Sequence, residues 1–268
     1  MTHATPPAAG AFECWVTGVD IWSPGFANAG AWTARVRDAS VVAASGEGLD
    51  ARTRRRASKL ARALANVATS VLEQSGGDRA TVPAVFGSAL GEASTMLKLL
   101  DQMLRTQEEL SPMHFAMSVH NAASGLWSIA GQNRGFTTSL AADHDTPAMM
   151  LVETIGLLAT LGGPVVLASG DDAAPDQLIP ADQRFDLLAV GLALEAGDCT
   201  PHAPALAKVR GPWIQRVAWP ADVMPGPLRR NPQAGLLNLA DAVLRRRAGL
   251  VALDTGEGRG YCVEVEPT

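Results

Sequence analysis

Residues 111–170 constrain the fold more than any other part of the chain. Small and apolar residues recur at helical spacing over 122–130, behind an extended segment and with Asn121 as the predicted N-cap. FTTSLAA then has the composition of a strand. After the polar run DHDTP, Pro147 begins a second, buried helix that ends at Gly162, and PVVLASG is a further strand. The predicted order is helix, strand, sharp turn, buried helix, strand.

The rest of the chain supplies the other elements of a layered α/β fold with a mixed sheet. Further strands are predicted at 13–21, 82–88, 185–195 and 260–266, and further helices at 28–38, 49–74, 92–104 and 233–247. The proline-rich segment 197–231 predicts a surface excursion with one or two edge strands around WIQRVAW.

Length and composition favour a single domain. The chain has 268 residues, 47% of them hydrophobic, which is enough to bury a sizeable core. We predict one domain over 1–268, made of a loose tail (1–11), a core (12–196) and a divergent C-terminal segment (197–268).

Charge and cysteine content exclude several classes of function. A net charge of −5 gives no basis for binding a nucleic acid backbone. Cys14, Cys199 and Cys262 are widely spaced and form no metal-binding motif, so we expect no metal, no cofactor and a reducing cytoplasm. The N-terminus lacks the features of a secretory signal. Glu153 and the Gly-Gly-Pro break at 162–164 argue against a membrane span over 148–168.

Three segments carry a resemblance to a known family. GSALGEASTMLKLLDQML, SPMHFAMSVHNAASGLWSIAGQNRG and TSLAADHD, in this order, resemble the N-terminal half of a β-ketoacyl synthase of the thiolase superfamily. More narrowly, the chain resembles the short ketoacyl-synthase-like proteins of aryl polyene and related pigment pathways, which are regarded as chain-length-factor partners. The resemblance weakens after residue 195. It implies a thiolase-like half-fold, a layered mixed sheet with a buried helix.

The chain departs from the synthase pattern at the nucleophile. In a working condensing enzyme, the helix after the FTTSLAA-like strand begins with a cysteine that the helix N-terminus activates. Here Asp143, His144 and Asp145 occupy that position, without a thiol. The two C-terminal histidines of the synthases also lack counterparts, since only His202 lies beyond residue 150 and its TPHAPA segment matches neither motif. The resemblance therefore implies a protein that is not an enzyme.

What the resemblance implies is a heterodimer with a full-length ketoacyl synthase in polyene or fatty-acid-type biosynthesis. Region 111–161 would pack across the interface and shape the tunnel that limits growth of the acyl chain. The predicted interface or tunnel residues are Met96, Met103, Phe115, Met117, His120, Asn121, Met149 and Met150. Methionine suits adaptable apolar surfaces, but simple core packing stays open for these methionines, as does a capping role for His120 and Asn121.

A basic cluster at Arg54, Arg55 and Arg56 gives a weaker prediction. An acyl carrier protein is acidic, so this cluster would steer its approach, or it is an ordinary solvated helix face. Arginines in the first turns of the predicted 49–74 helix would oppose its dipole, which favours an acidic partner. The second run, Arg245 to Arg247, ends a predicted helix, where the dipole favours it without any partner.

Two alternatives belong to other functional classes. The first is a decarboxylase or hydrolase acting on a carrier-linked acyl group through Asp143, His144 and Asp145, with Ser139 as a hydroxyl nucleophile. No GxSxG elbow exposes that serine. The second is a structural homodimer that binds a fatty acyl ligand. GSALGEA lacks the spacing and the lysine of a phosphate loop, so nucleotide binding has no support.

Overall fold

The computed structural model describes residues 12–106, 109–220 and 224–268. The predicted tail, 1–11, lies outside the described residues. The strands are β1 Glu13–Trp22, β2 Ala84–Gly87, β3 Thr137–Leu140, β4 Val165–Asp171, β5 Leu188–Ala196, β6 Ala207–Ile214, β7 Gly249–Ala252 and β8 Tyr261–Pro267. The α-helices are α1 Ala29–Ala34, α2 Ala51–Arg56, α3 Lys59–Ser75, α4 Ala93–Asp101, α5 Pro112–Ala116, α6 Ala122–Gly131, α7 Thr146–Leu161, α8 Gly226–Arg229 and α9 Ala234–Leu244. A π-helix covers Gln102–Thr106, and short 3-10 turns cover Asp143–Asp145 and Ala181–Gln183.

All eight strands lie in one mixed sheet with the order β3-β2-β4-β5-β1-β6-β8-β7. β2 runs parallel to β3 and β4, and the remaining pairs are antiparallel. Among the strands that the structure describes, β3 and β7 are at the edges, and β3 pairs with β2 alone. The predicted layered α/β fold is confirmed.

Helices cover both faces of the sheet and enclose two hydrophobic cores. Successive side chains of β2 point to opposite faces of the sheet and so enter different cores. Val85 lies in one core, while Ala84 and Phe86 lie in the other. α3 and α6 build the Phe86 core, where the Trp127 indole donates to Thr69 Oγ1 at 3.1 Å. α1, α7 and α9 build the other core.

Glycines let α3 pack unusually close to the strands beneath it. A Cβ atom at Gly191 of β5 would lie 2.7 Å from the Val67 carbonyl oxygen, and one at Gly18 of β1 would lie 2.9 Å from the Val71 oxygen. Any larger residue would push the helix away from the sheet.

The helices differ in how far they are buried. α7, which follows the sharp turn, buries Met150, Leu151 and Leu158 but leaves Val152 and Leu161 exposed. α9 is buried on all sides, from Ala234 to Val243. Within this fold α9 is therefore the most enclosed helix, whereas α7 keeps an apolar side open.

The single helix predicted over 49–74 is wrong, since the chain forms α2 and α3 with a break at Ala57. The backbone of Ser58 is extended, and its hydroxyl accepts from Ala61 N at 2.9 Å as the N-cap of α3. Arg54, Arg55 and Arg56 consequently end α2. The argument that they oppose a helix dipole is also wrong, because cations in a last turn are favoured.

Three further predictions need correction. The segment before α6 is not extended, because Pro112 begins the short helix α5. In the proline-rich segment the strand is β6, which lies inside the sheet between β1 and β8, and not an edge strand around WIQRVAW. β7 was not predicted. The second arginine run does have a partner, since Arg245 and Arg247 pair with the buried carboxylate of Asp241.

Candidate functional site

The turn between β3 and α7 holds Asp143, His144 and Asp145 in a defined geometry. Ala142 N donates to Thr146 Oγ1 at 2.9 Å, and the same hydroxyl donates to the Asp143 carbonyl at 2.7 Å. Asp143 has a left-handed backbone, with φ of 51°, which aspartate tolerates better than most residues. The turn therefore places His144 at the start of α7, as the sequence predicts.

The two aspartates beside His144 have different surroundings. The Asp143 side chain is 85% exposed, and its Oδ1 lies 4.0 Å from His144 Nε2, beyond hydrogen-bond distance. Asp145 Oδ1 instead accepts from Arg259 N at 2.8 Å, and Arg259 Nε lies 3.6 Å from Asp145 Oδ2. Neither carboxylate forms a hydrogen bond with the His144 imidazole, so the three residues do not form a catalytic dyad in this arrangement.

His144 opens onto a cleft of about 640 Å³. Its walls come from five parts of the chain. These are the turn itself, Leu90 after β2, the segment around Phe185, the α8 segment with Arg229 and Arg230, and the β7–β8 connection with Glu257. The cleft is large enough for a small organic ligand.

Ser139, the nucleophile of the hydrolase alternative, is engaged elsewhere. Its hydroxyl lies 2.8 Å from the hydroxyl of Ser124 on α6. Within the described residues it makes no hydrogen bond to His144. The serine-histidine pairing is therefore absent from the part of the chain that the structure describes.

None of the three thiols has the environment of an activated nucleophile. Burial raises the pKa of Cys14 to about 12 and that of Cys262 to about 11. The hydrogen bond to Asp198 raises the pKa of the exposed Cys199 thiol. A nucleophilic cysteine needs a lowered pKa, so these thiols are poorly suited to the role.

The buried carboxylate of Asp171 joins two segments that line the cleft. It accepts from Ser88 Oγ at 2.6 Å, Leu90 N at 2.8 Å, Ala89 N at 2.9 Å and Gln233 Nε2 at 2.7 Å. Leu90 and the neighbour of Gln233, Pro232, both line the cleft. Burial raises the pKa of Asp171, and these donors act in the opposite direction.

The residues around Asp171 were not predicted from the sequence. Ser169 Oγ donates to Gln233 Oε1 at 2.5 Å, and Asn231 Nδ2 donates to the Asp171 carbonyl at 3.1 Å. Polar residues at the end of a strand or before a helix are weak sequence signals of a buried network. Asp171 and Gln233 are 62 residues apart, so the sequence does not show that they are in contact.

The imidazoles of His120 and His202 have structural contacts. His120 Nε2 lies 2.8 Å from the Ser88 carbonyl oxygen, so its imidazole is satisfied. Asn121 is the N-cap residue of α6, as predicted, but its side chain makes no capping hydrogen bond. His202 Nδ1 lies 2.5 Å from Glu195 Oε2.

The predicted interface or tunnel residues divide by exposure. Met96, Met103 and Phe115 are exposed, as is Asn121, while Met117, His120 and Met149 are partly buried. Met150 is completely buried in the α7 core, where its sulfur fills the space beside Gly87. Met150 is therefore a core residue of this chain and does not reach its surface.

The predicted docking arginines lie together on α2. Arg54 Nη2 donates to the Leu49 carbonyl at 2.9 Å, whereas Arg55 and Arg56 line a separate cleft with Lys98 and His114.

The described residues offer neither a metal-binding cluster nor a membrane-spanning helix. Over 12–106, 109–220 and 224–268, no group of three or more acidic, histidine or cysteine side chains is arranged to hold a metal ion. None of the helices in these ranges combines the length and apolarity needed to cross a membrane.

Comparisons with known proteins agree with this geometry. The family model described as "Beta-ketoacyl synthase, N-terminal domain" matches residues 31–249. A comparison with curated proteins gives no match.

Several solved structures are similar to this chain. The complex of the ketosynthase ApeO with its chain length factor ApeC from Xenorhabdus doucetiae aligns with a TM-score of 0.70 and 22% identity, over 94% of this chain and 98% of that chain. The ishigamide ketosynthase/chain length factor has a TM-score of 0.59 and 17% identity, over 75% of this chain and 66% of that chain. AntDE:AntF, a type II polyketide synthase acyl-carrier protein in complex with its ketosynthase, has a TM-score of 0.61 and 13% identity, over 76% and 69%. At these identities the similarity establishes the fold, and the predicted thiolase-like ketoacyl-synthase half-fold is confirmed.

Proposed function

The chain belongs to the family of β-ketoacyl synthase N-terminal domains, and from this premise we propose that it is a non-catalytic subunit, similar to a chain length factor, of a ketosynthase complex. The observation that carries the proposal is the residue set at the start of α7. Asp143, His144 and Asp145 stand there, and the three thiols of the chain lie in other places with raised pKa values. A subunit of this kind depends on a partner for the condensation chemistry.

The free side of β3 supports a heterodimer through region 111–161. β3 is an edge strand, and an unpaired edge is a template for pairing with another chain. Large apolar side chains are exposed in the same region, with Phe115 at 62% and Ile129 at 74%. Exposed apolar residues grouped in this way mark interaction surfaces.

The ApeO–ApeC comparison supports the same role. The alignment covers 94% of this chain and 98% of the matched chain, so the two chains are nearly equal in length. That complex pairs a ketosynthase with a chain length factor. We extend the pairing to this chain as part of the proposal, with a full-length ketoacyl synthase as the partner.

Three finer statements belong to the proposal. The subunit shapes the acyl tunnel of its partner, with Met117 and Met149 as adaptable apolar groups in reach of it. The product is an aryl polyene or a fatty-acid-type chain, made in the cytoplasm. Residues 1–268 act as one domain, because β6, β7 and β8 of the C-terminal segment complete the sheet that begins in 12–196.

Carrier-protein docking at Arg54, Arg55 and Arg56 is a further part of the proposal. The three guanidinium groups are exposed on the last turn of α2, where they present a positive face to an acidic carrier. The AntDE:AntF structure contains an acyl-carrier protein with its ketosynthase.

Co-expression with the full-length ketosynthase partner tests the proposed function. We expect the two chains to co-elute in size-exclusion chromatography, and Ile129→Glu to abolish co-elution. Val42→Glu is the matched control, since Val42 is equally exposed but lies outside region 111–161. If the chain elutes alone in the presence of its partner, the proposal is wrong. Reconstituted synthesis with Met117→Ala or Met149→Ala should change the product length if these residues line the tunnel.

One observation favours the enzyme alternative, the open cleft beside His144. A decarboxylase or hydrolase would turn over an acyl-carrier substrate with the isolated chain and lose this activity in His144→Ala. We expect no turnover in either protein. A structural homodimer would instead appear as a dimer of the isolated chain in sedimentation.

A further inference from the structure

A second cleft, of about 380 Å³, brings together basic side chains from three helices. Arg55 and Arg56 come from the last turn of α2, Lys98 from α4 and His114 from α5. α2 ends at Arg56, and the other two helices begin at Ala93 and Pro112, so the fold brings together segments that are far apart along the chain. We call this pocket the cationic cleft.

The permanent charges of the cationic cleft are not neutralised within the described residues. No carboxylate there forms an ion pair with Arg55, Arg56 or Lys98. The neighbouring acids make other contacts: Asp50 caps α2, and Asp101 pairs with Arg105. The buried Glu92 carboxylate accepts from Ser58 and Thr95, two residues that line the cleft.

This arrangement is not a result of an excess of basic residues. The chain has 27 acidic residues against 22 lysines and arginines. A one-signed group of cations in a concave site repels itself, and an anion would remove that cost.

The floor of the cationic cleft is apolar. Leu99 is buried beneath it, and Met113 and Met117 line it from the α5 side. A concave volume of this size is at the lower end of the range of about 300–1,000 Å³ that small-molecule sites occupy. A flat acidic protein surface would reach the arginines but would leave this floor unfilled.

We propose that the cationic cleft binds a phosphate monoester that carries a short alkyl chain. The phosphate contacts Arg55, Arg56 and Lys98, because guanidinium groups match phosphate oxygens in a bidentate geometry. The alkyl part packs on Leu99 and Met113. The site lies within a single chain, but it shares Arg55 and Arg56 with the carrier-docking face and Met117 with the tunnel proposed above. Ester binding by the isolated chain is therefore measured separately from co-elution with a ketosynthase.

Calorimetric titration of the isolated full chain with hexyl phosphate tests this proposal. We expect saturable 1:1 binding that is weaker for inorganic phosphate and absent for hexanol. Arg56→Ala and Lys98→Ala should each weaken binding by about tenfold, as expected when a hydrogen-bonded ion contact is lost. Arg52→Ala is the matched control, because Arg52 lies on the same helix outside the cleft, and it should leave binding unchanged. All three positions are at the surface, and thermal unfolding of each variant verifies that it is folded.

Two outcomes would overturn the proposal: the absence of saturable binding of hexyl phosphate, or an equal loss of binding in Arg52→Ala. Binding of poly-glutamate without saturable binding of hexyl phosphate would assign the cleft to protein docking instead. Vesicles of phosphatidic acid in phosphatidylcholine distinguish the sources of the ester. Binding of both vesicles and hexyl phosphate assigns a lipid headgroup, and binding of hexyl phosphate alone assigns a soluble ester. Binding of vesicles without binding of hexyl phosphate would contradict the proposed ester site.

Discussion

Ser88 Oγ donates to Asp171 Oδ1 at 2.6 Å across 83 residues of sequence. This bond joins the loop after β2 to the end of β4, and Gln233 adds the segment before α9 to the same carboxylate. One buried side chain thus holds three segments that surround the His144 cleft.

Asp171→Ala should destabilise the protein strongly. Four donors lose their acceptor in a buried site, which costs on the order of 2–4 kcal/mol. Urea unfolding monitored by circular dichroism measures the change. Asp182→Ala, at an exposed position, is the control and should have little effect. An Asp171→Ala protein as stable as the wild type would mean that the network contributes nothing.

Glu92→Gln should change how stability depends on pH. Burial raises the pKa of Glu92 above its usual 4.5, against the hydrogen bonds from Ser58 and Thr95. With a raised pKa in the folded state, the contribution of this group is fully present below pH 4.5 and is lost as pH rises through the folded value. Relative to the wild type, Glu92→Gln should therefore gain stability between pH 4 and pH 7.

Chemical unfolding at a series of pH values measures this difference. Glu73→Gln, on the exposed side of α3, provides the matched control. A constant difference between Glu92→Gln and wild type across this range would contradict the prediction.

Asp241→Ala should destabilise the packing of α1 against α9. The Asp241 side chain is completely buried and accepts from the Trp32 indole at 2.9 Å and from Arg245 Nε at 2.8 Å. Its removal leaves the indole without an acceptor and the partly exposed arginines without a partner, at a cost of about 2–4 kcal/mol. Thermal unfolding should show the loss, and Trp32 fluorescence should shift. An unchanged transition would show that water replaces the carboxylate.

Gly191→Ala should weaken the contact between α3 and β5. The new Cβ would approach the Val67 carbonyl oxygen to 2.7 Å, and overpacking of this kind costs about 1–3 kcal/mol. Gly156→Ala is the opposite control, because that position on α7 has open space around it and alanine favours a helix by about 1 kcal/mol. Equal effects of the two substitutions on urea unfolding would contradict this account of the packing.

Local patterns predicted the elements whose signals lie within one segment. α7 was predicted from Pro147 and Gly162, and β4 from a run of β-branched residues. The break before α3 was missed because Ala57 and Ser58 carry no helix-breaking signal, and only the hydroxyl of Ser58 shows the new start. β6 was misplaced because its partners, β1 and β8, are far away in sequence.

Only part of the candidate site was predicted, because only part of it gives a local sequence pattern. His144 was found because the turn lies between two strong local patterns. The contacts of Asp145 with Arg259 and of Asp171 with Gln233 join distant segments, which no periodicity reveals. Arg55 and Arg56 were recognised as a charge run, but their association with Lys98 depends on how the fold places α2 and α4 around one cleft.

The hydrogen bond from the Arg259 amide to Asp145 connects the β7–β8 hairpin to the turn before α7. Asp254 fixes that connection internally by accepting from Gly256 N and Gly260 N. Insertions or deletions between β7 and β8 would consequently be transmitted to the first turn of α7. This connection lies outside the residues that the family model matches, so changes in its length could alter the pocket beside His144 without touching the shared core.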